Sequence, residues 1–357
     1  MDGNQNSTAV LHIVSSLEVG GAERFVIDLC QVQRNKGANV AILSFGQSSD
    51  PLVKECENGE IEVFHTQSGK LNKWRSAYKA LKIFDVIHFH SPYPLKFLLP
   101  VLLFCRSKKI VYTRHGADPL AGSTWRWTHK IARYFVDQMS FVSKEGAQVF
   151  ERSHGWHNMT KHVIDNGVNL TEFQPEKTQF TGLRLGSVGR MVSLKNQISL
   201  LRAVARLAPE TQKAIEIHFF GDGPCLNELQ QFSEEQLRSS NIVFHGMVAN
   251  RNTIYNSFDV MVVTSETEGL SLAIIEAMAY YCPVIATKVG GNPKLVEHQR
   301  NGLLFEYNDD ETLASLIKTI LDDKAVIEQY GAVGRQKIER QFSLSACADK
   351  YNQLYID

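Results

Sequence analysis

DVMVVTSETEGLSLAIIEAMAYYCPVIAT, Asp259 to Thr287, runs through three patterns in succession. An apolar, β-branched run ends at Ser265, and a short turn follows through Gly269. Apolar residues then recur at helical spacing from near Ser271 until Pro283 stops the helix, after which PVIAT begins a second apolar run. Strand, turn, helix, strand is the βαβ unit of a parallel sheet buried on both faces. Two glutamates interrupt this otherwise small and apolar stretch: Glu268 lies in the turn and Glu276 more than one turn into the helix. In this geometry the amides of Leu270 to Leu272 point out of the strand ends without helical partners, where an anion can sit. Acceptor-only carboxylates suit sugar hydroxyls. Taken alone, the pair fits equally well a Glu268 that offsets the helix dipole and a solvated Glu276.

The same rhythm extends in both directions. AVLHIVSS (Ala9–Ser16), NVAILSF (Asn39–Phe45), DVIHFHS (Asp85–Ser91), KIVYTRH (Lys109–His115) and QMSFVS (Gln138–Ser143) read as buried strands. AERFVIDLCQVQRNKG between the first two has helical spacing and a stop at Gly37. The rhythm restarts with LRLGSVG (Leu183–Gly189), AIEIHFFG (Ala214–Gly221), NIVFHG (Asn241–Gly246) and then the opening stretch. Between the halves, the polar segment NLTEFQPEKTQFTG, broken by Pro175, reads as a hinge near residues 169–182. A chain of 357 residues suits two domains of about 170 residues each. Doubly wound sheets bind ligands outside the carboxyl ends of their strands.

Composition narrows the function classes. A 43% hydrophobic and 21% charged chain is ordinary for a globular protein, and no apolar run approaches the roughly 18 residues of a membrane span. The N-terminus lacks the basic start and apolar stretch of a signal peptide. Cys30, Cys56, Cys105, Cys225, Cys282 and Cys347 are scattered, without a CxxC, and read as reduced thiols of a cytoplasmic protein. The net charge is zero but uneven: residues 1–170 carry 20 Lys and Arg against 15 Asp and Glu. That modest excess suits an anionic acceptor or membrane surface on the N-terminal side.

A second motif sharpens the reading. GSVGRMVSLKN follows the first strand of the second half and places Arg190 and Lys195 just beyond it, as two cations able to clamp a diphosphate without a metal. Neither GSVG nor FFGDGP supplies the G-x-G-x-x-G dinucleotide fingerprint, which argues against a nicotinamide oxidoreductase. GRMVSLK, FFGDGP, HGMV, SETEGLSLAIIEAMA, PVIATKVGGNPKLVE and NGLLF, with EVGGAERFVIDL near the start and IDNGVNLTEFQP at the hinge, follow in an order that resembles the retaining glycosyltransferases of family four. The resemblance covers almost the whole chain. It implies an α/β GT-B fold, two Rossmann-like doubly wound domains facing each other across a cleft: residues 1–170 for the acceptor, 171–340 for the nucleotide-sugar, and a C-terminal helix in 341–357 packing back on the first domain.

Carried onto this sequence, the resemblance assigns Arg190 and Lys195 to the donor diphosphate, Glu276 to the ribose hydroxyls and Glu268 to the transferred sugar. Gly269, Leu270, Ser271 and Leu272 form the loop that meets phosphates and sugar, and Gly20 and Gly21 approach the donor phosphate. His115 in YTRHGAD resembles the histidine near the reaction centre. Departures are small: Tyr281 and Asn196 stand where glycine is common, and Lys294 where an acid is common. His88 and His90 alternate on a strand, so one of the two is expected to face the site, and His90, nearer the carboxyl end, is placed on the acceptor side.

The implied reaction moves a glycosyl group from a nucleoside-diphosphate sugar, UDP favoured over GDP, to an acceptor hydroxyl with retention. Bacterial polysaccharide or lipopolysaccharide is the expected setting. No Asp-x-Asp pair is present, so the expectation is no cofactor and no metal. Expected partners are the nucleotide-sugar and a glycan or lipid-linked acceptor, with no nucleic acid. PYPLKFLLPVLLFCRSKK and the basic WRWTHKIARYF, with Arg126, Lys130 and Arg133, are the segments for a peripheral contact on the inner face of the cytoplasmic membrane. A sugar phosphorylase, an epimerase and a non-catalytic nucleotide-sugar-binding scaffold subunit remain alternatives.

Overall fold

The computed structural model describes residues 8–116, 120, 122–154, 156, 159–170, 173–176, 180–238 and 240–357. The chain forms two compact units, residues 1–167 with 344–357, and residues 168–343. Five residues of the expected hinge (171, 172 and 177–179) lie outside the described residues.

In unit 1 the elements run β1 (Ala9–Val14), α1 (Gly21–Asn35), β2 (Asn39–Ser44), α2 (Val53–Asn58), β3 (Glu62–His65), α3 (Lys70–Ile83) and β4 (Val86–Phe89). Next come α4 (Pro92–Leu102), β5 (Lys109–Arg114), α5 (Ser123–Ala132), β6 (Gln138–Phe141), α6 (Lys144–His154) and β7 (Lys161–Val163). The strands pair in parallel in the order β3-β2-β1-β4-β5-β6-β7. Helix α1 buries Phe25, Val26, Leu29 and Cys30, and ends where Gly37 turns left-handed at φ 87° and its amide bonds back to Arg34 O at 2.7 Å.

Unit 2 repeats the plan with β8 (Leu183–Val188), α7 (Ile198–Ala205), α8 (Pro209–Lys213), β9 (Ile215–Phe220), α9 (Leu226–Gln236), β10 (Asn241–Phe244) and α10 (Arg251–Tyr255). It continues through β11 (Val260–Val263), α11 (Leu272–Ala279), β12 (Val284–Thr287), α12 (Asn292–Leu295), β13 (Gly302–Phe305), α13 (Asp310–Asp322) and α14 (Ala325–Gln341). Its parallel sheet has the order β10-β9-β8-β11-β12-β13. Helix α15 (Leu344–Ile356) then returns to unit 1 and packs on α1.

Both sheets reverse their winding once, between β1 and β4 in unit 1 and between β8 and β11 in unit 2. Such a switch point leaves a crevice at the carboxyl ends of the two strands. Each candidate site lies at one of them. No helix among the described residues is long and apolar enough to cross a membrane, and all six cysteines are free thiols.

Candidate functional site

The unit 2 site is built where β8 and β11 end. The chain leaves β8 through Gly189 and Arg190 and makes a short 3-10 turn at Ser193–Lys195. This turn is stitched to the end of β11: the Glu266 amide donates to Leu194 O at 2.9 Å, and the Thr264 hydroxyl donates to Lys195 O at 2.9 Å. The Lys195 ammonium thereby reaches the Glu268 carboxylate, Nζ to Oε1 2.5 Å, and the Ser265 hydroxyl donates to the same oxygen at 2.7 Å. Ser187, Gln197, Thr264 and Ser271 line the small pocket beside this pair. Arg190, on the loop after β8, is exposed. Helix α11 starts after Ser271, whose side chain makes no capping bond, and its first turn holds no acidic residue. The first-turn amides are thus left uncapped by side chains beside a lysine, an arrangement suited to phosphate oxygens.

Glu276 does not share that pocket with Glu268. Its buried carboxylate accepts from Arg251 Nε at 2.8 Å and from the Tyr255 hydroxyl at 2.6 Å, both on α10. Glu268 thus neutralises a lysine and Glu276 an arginine. A carboxylate this buried needs a paired cation and hydrogen-bond donors, and α10 supplies both. The sequence reading missed Arg251 and Tyr255. Their signal in RNTIY is an i, i+4 pair on one helical face, without mark of its distant partner.

Glycines lock the loops around the site. A Cβ on Gly290, where φ is 49°, would lie 1.9 Å from Glu268 O, and one on Gly291 would lie 1.9 Å from Gly269 O. Gly221 and Gly223 stand in the same relation to Gly189 O and Met191 O, at 2.1 and 2.4 Å. The loops after β8 and β11 are therefore each backed directly by another backbone, with no room for a side chain.

In unit 1, Gly20 precedes α1 and Gly21 opens it, again without a side-chain cap. Below them lies a buried imidazole cluster. His12 on β1 faces His88 on β4 in register. His12 Nδ1 meets His90 Nε2 at 2.9 Å, and His90 Nδ1 meets His115 Nε2 at 3.0 Å. The expectation that only one of His88 and His90 faces inward is corrected: residues two apart on a strand share a face, and these two rings lie 3.9 Å apart. Burial pushes the pKa of His12 down to about 4 and that of His115 to about 3, the second helped by Arg114. Burial also holds His88 and His90 well below the usual range, so all four are neutral. Among the described residues, His12, His88 and His90 form the group whose geometry could hold a metal. Their ring nitrogens are already engaged, those of His88 by the Tyr355 hydroxyl at 2.8 Å and the Thr113 hydroxyl at 2.7 Å.

Comparison with known proteins places this geometry. Residues 19–172 match the family model described as Glycosyltransferase Family 4, and residues 182–323 match that for Glycosyl transferases group 1. The chain belongs to the family-four glycosyltransferases. Relatives of this glycosyltransferase include the Escherichia coli UDP-Gal:alpha-D-GlcNAc-diphosphoundecaprenol alpha-1,3-galactosyltransferase, 26% identical over 79% of this chain and 78% of that one. A Campylobacter jejuni GalNAc-alpha-(1->4)-GalNAc-alpha-(1->3)-diNAcBac-PP-undecaprenol alpha-1,4-N-acetyl-D-galactosaminyltransferase is 24% identical over 96% of each chain. Anabaena HepE, solved with UDP and glucose, has the same GT-B fold, with a TM-score of 0.85 at 22% identity over 97% of this chain and 98% of that one. Against the family pattern, Asn196 and Tyr281 replace glycine yet keep its left-handed backbone, with φ of 48° and 59°. In this glycosyltransferase the Asn196 amide donates to Asn308 Oδ1 at 3.1 Å, and the Arg335 guanidinium lies 5.4 Å over the Tyr281 ring.

Proposed function

We propose that this glycosyltransferase moves a sugar from a UDP-sugar to a hydroxyl of a lipid-linked bacterial glycan, with retention and without a divalent metal. The observation that carries the reading is the unit 2 pocket, where Lys195, the uncapped start of α11 and Glu268 converge, with Arg190 on the loop after β8. The printed donor of the E. coli relative, the UDP-glucose complex of HepE and the undecaprenol acceptors of both curated relatives support the choice of substrates.

As the sugar and diphosphate separate, negative charge grows on the leaving phosphate. Lys195 and the α11 amides are fixed donors for that charge, the form of catalysis that electrostatic preorganisation supplies, and Arg190 adds an exposed cation. A bound diphosphate competes with Glu268 for the Lys195 ammonium and frees the Glu268 carboxylate to accept from sugar hydroxyls. The leaving phosphate, on the face where the acceptor hydroxyl attacks, takes its proton. From unit 1, Gly20, Gly21, His90 and neutral His115 are assigned by the family resemblance to the phosphate, acceptor and sugar side of the same reaction.

A thermal-shift panel of UDP, GDP, ADP, CMP and NAD, run with a chelator, tests the donor. A ligand at about 100 times its Kd adds roughly 2.7 kcal/mol, a shift of a few degrees for a chain this long. UDP alone is expected to give it. A response to GDP alone replaces the donor base, and no response to any nucleotide overturns the reading.

A further inference from the structure

The unit 1 imidazoles form a string whose polarity can be assigned bond by bond. At one end the Gln33 carbonyl oxygen lies 2.9 Å from His12 Nε2. A carbonyl only accepts, so the neutral His12 carries its proton on Nε2 and presents a lone pair at Nδ1. His90 must then donate from Nε2, which leaves its Nδ1 as an acceptor. His115 donates from Nε2 to that atom, so its remaining nitrogen, Nδ1, is a lone pair. That Nδ1 is buried and has no hydrogen-bond partner among the described residues.

The direction of the string is decided at Gln33. Its amide nitrogen donates to Asn352 Oδ1 at 3.1 Å and to the Tyr355 hydroxyl at 3.4 Å, both on α15. The Tyr355 hydroxyl passes its own proton to His88 Nδ1, and His88 donates from Nε2 to Thr113. Every proton in both branches is placed once the Gln33 amide is placed. A reversed amide would reverse each bond between Gln33 and His115 and would turn Nδ1 of His115 from acceptor to donor.

We propose that Gln33, held by Asn352 and Tyr355, is a positioning residue that fixes His115 as its Nε2–H tautomer. The Nδ1 lone pair is then ready to accept from a sugar or acceptor hydroxyl. Burial of all three imidazoles supports this, because neutral rings carry one proton each and the string has no spare. The same occupancy argues against a metal at His12, His88 and His90: the 2.9 Å contact of His12 with His90 is a hydrogen bond, and both nitrogens of His88 are engaged. The role of His115 toward substrate rests on the proposed glycosyl transfer; the string itself does not.

Long-range proton–nitrogen NMR on protein labelled with ¹⁵N-histidine reads each tautomer directly. His12, His90 and His115 of the wild-type protein are expected as neutral Nε2–H forms from pH 6 to 8. Gln33→Met should scramble the tautomer of His115 and lower kcat about tenfold, the size of one lost hydrogen bond, with KM for the donor little changed. Gln33→Glu still offers His12 an acceptor and should restore both. An Nδ1–H or charged His115 in the wild-type protein overturns the inference without any variant, so a Gln33→Met chain that fails to fold leaves it decided. An unchanged His115 tautomer, or wild-type kcat, in a folded Gln33→Met also overturns it. The predicted tautomers in a protein that transfers no sugar would sink the functional reading and leave the string standing.

Discussion

Arg190 and Lys195 carry the same charge under different constraints. Lys195 is held by Glu268 and by a turn stitched to β11, whereas the Arg190 side chain is exposed and makes no side-chain bond among the described residues. Arg190→Ala should therefore leave the melting temperature within about a degree, since unpaired surface changes cost little. It should cut kcat by about 10²–10³, the usual loss of one donor to a developing charge. Turnover near that of the wild-type protein would remove Arg190 from the site. At this scale the sequence was legible where the parallel sheet brings strand ends together: Lys195 and Glu268, 73 residues apart, each follow a strand end and meet there. The partners of Glu276 were not legible, because Arg251 and Tyr255 come from a separate helix that no strand end marks. His88 and His90 were misread through the face rule of a strand, and nothing in the local pattern named Gln33.

Helix α5 and the turn that follows it combine basic and aromatic side chains. Trp127, Ile131 and Tyr134 are exposed at i, i+4 and i+7, and Arg126, Lys130 and Arg133 run beside them. Lys130 and Arg133 lie over the Trp127 and Tyr134 rings at 4.9 and 5.2 Å. Aromatic and basic residues side by side are what an interfacial helix offers to anionic lipid, with about 1 kcal/mol for each basic residue near the surface. Co-sedimentation is expected with anionic vesicles and not with neutral ones, falling steeply with salt. Trp127→Ala with Tyr134→Ala should reduce it about tenfold or more. Equal failure to bind both vesicle types would assign α5 to ordinary surface. Apart from β10, read as NIVFHG at a sheet edge, the strands read from apolar runs are interior ones, where both faces are covered. The strands left unread, β3, β7 and β13, lie at sheet edges; β3 and β7 are only half-buried, and a short half-buried strand has no continuous apolar run to announce it.

For the molecule as a whole, burying neutral histidines has a price in acid. His12, His88, His90, His115 and His129 all have pKa values lowered chiefly by burial. A depressed histidine contributes stability above its unfolded value near 6.5 and loses it as the pH falls toward the folded value. Unfolding near pH 5.5 should thus take up at least about three protons, a slope of roughly 4 kcal/mol per pH unit. Urea titrations between pH 7.5 and 4.5 measure it; a flat profile would mean the imidazoles are not buried neutral. Helix α15 has a different consequence, one of timing. Residues 1–167 leave the ribosome before unit 2, yet Asn352, Tyr351 and Tyr355, which meet Gln33 and His88, are made after it. Domains otherwise fold in the order of their synthesis. Here a unit begun before unit 2 is finished after it, and during translation its polar core stays unsealed until residues 168–343 have been made.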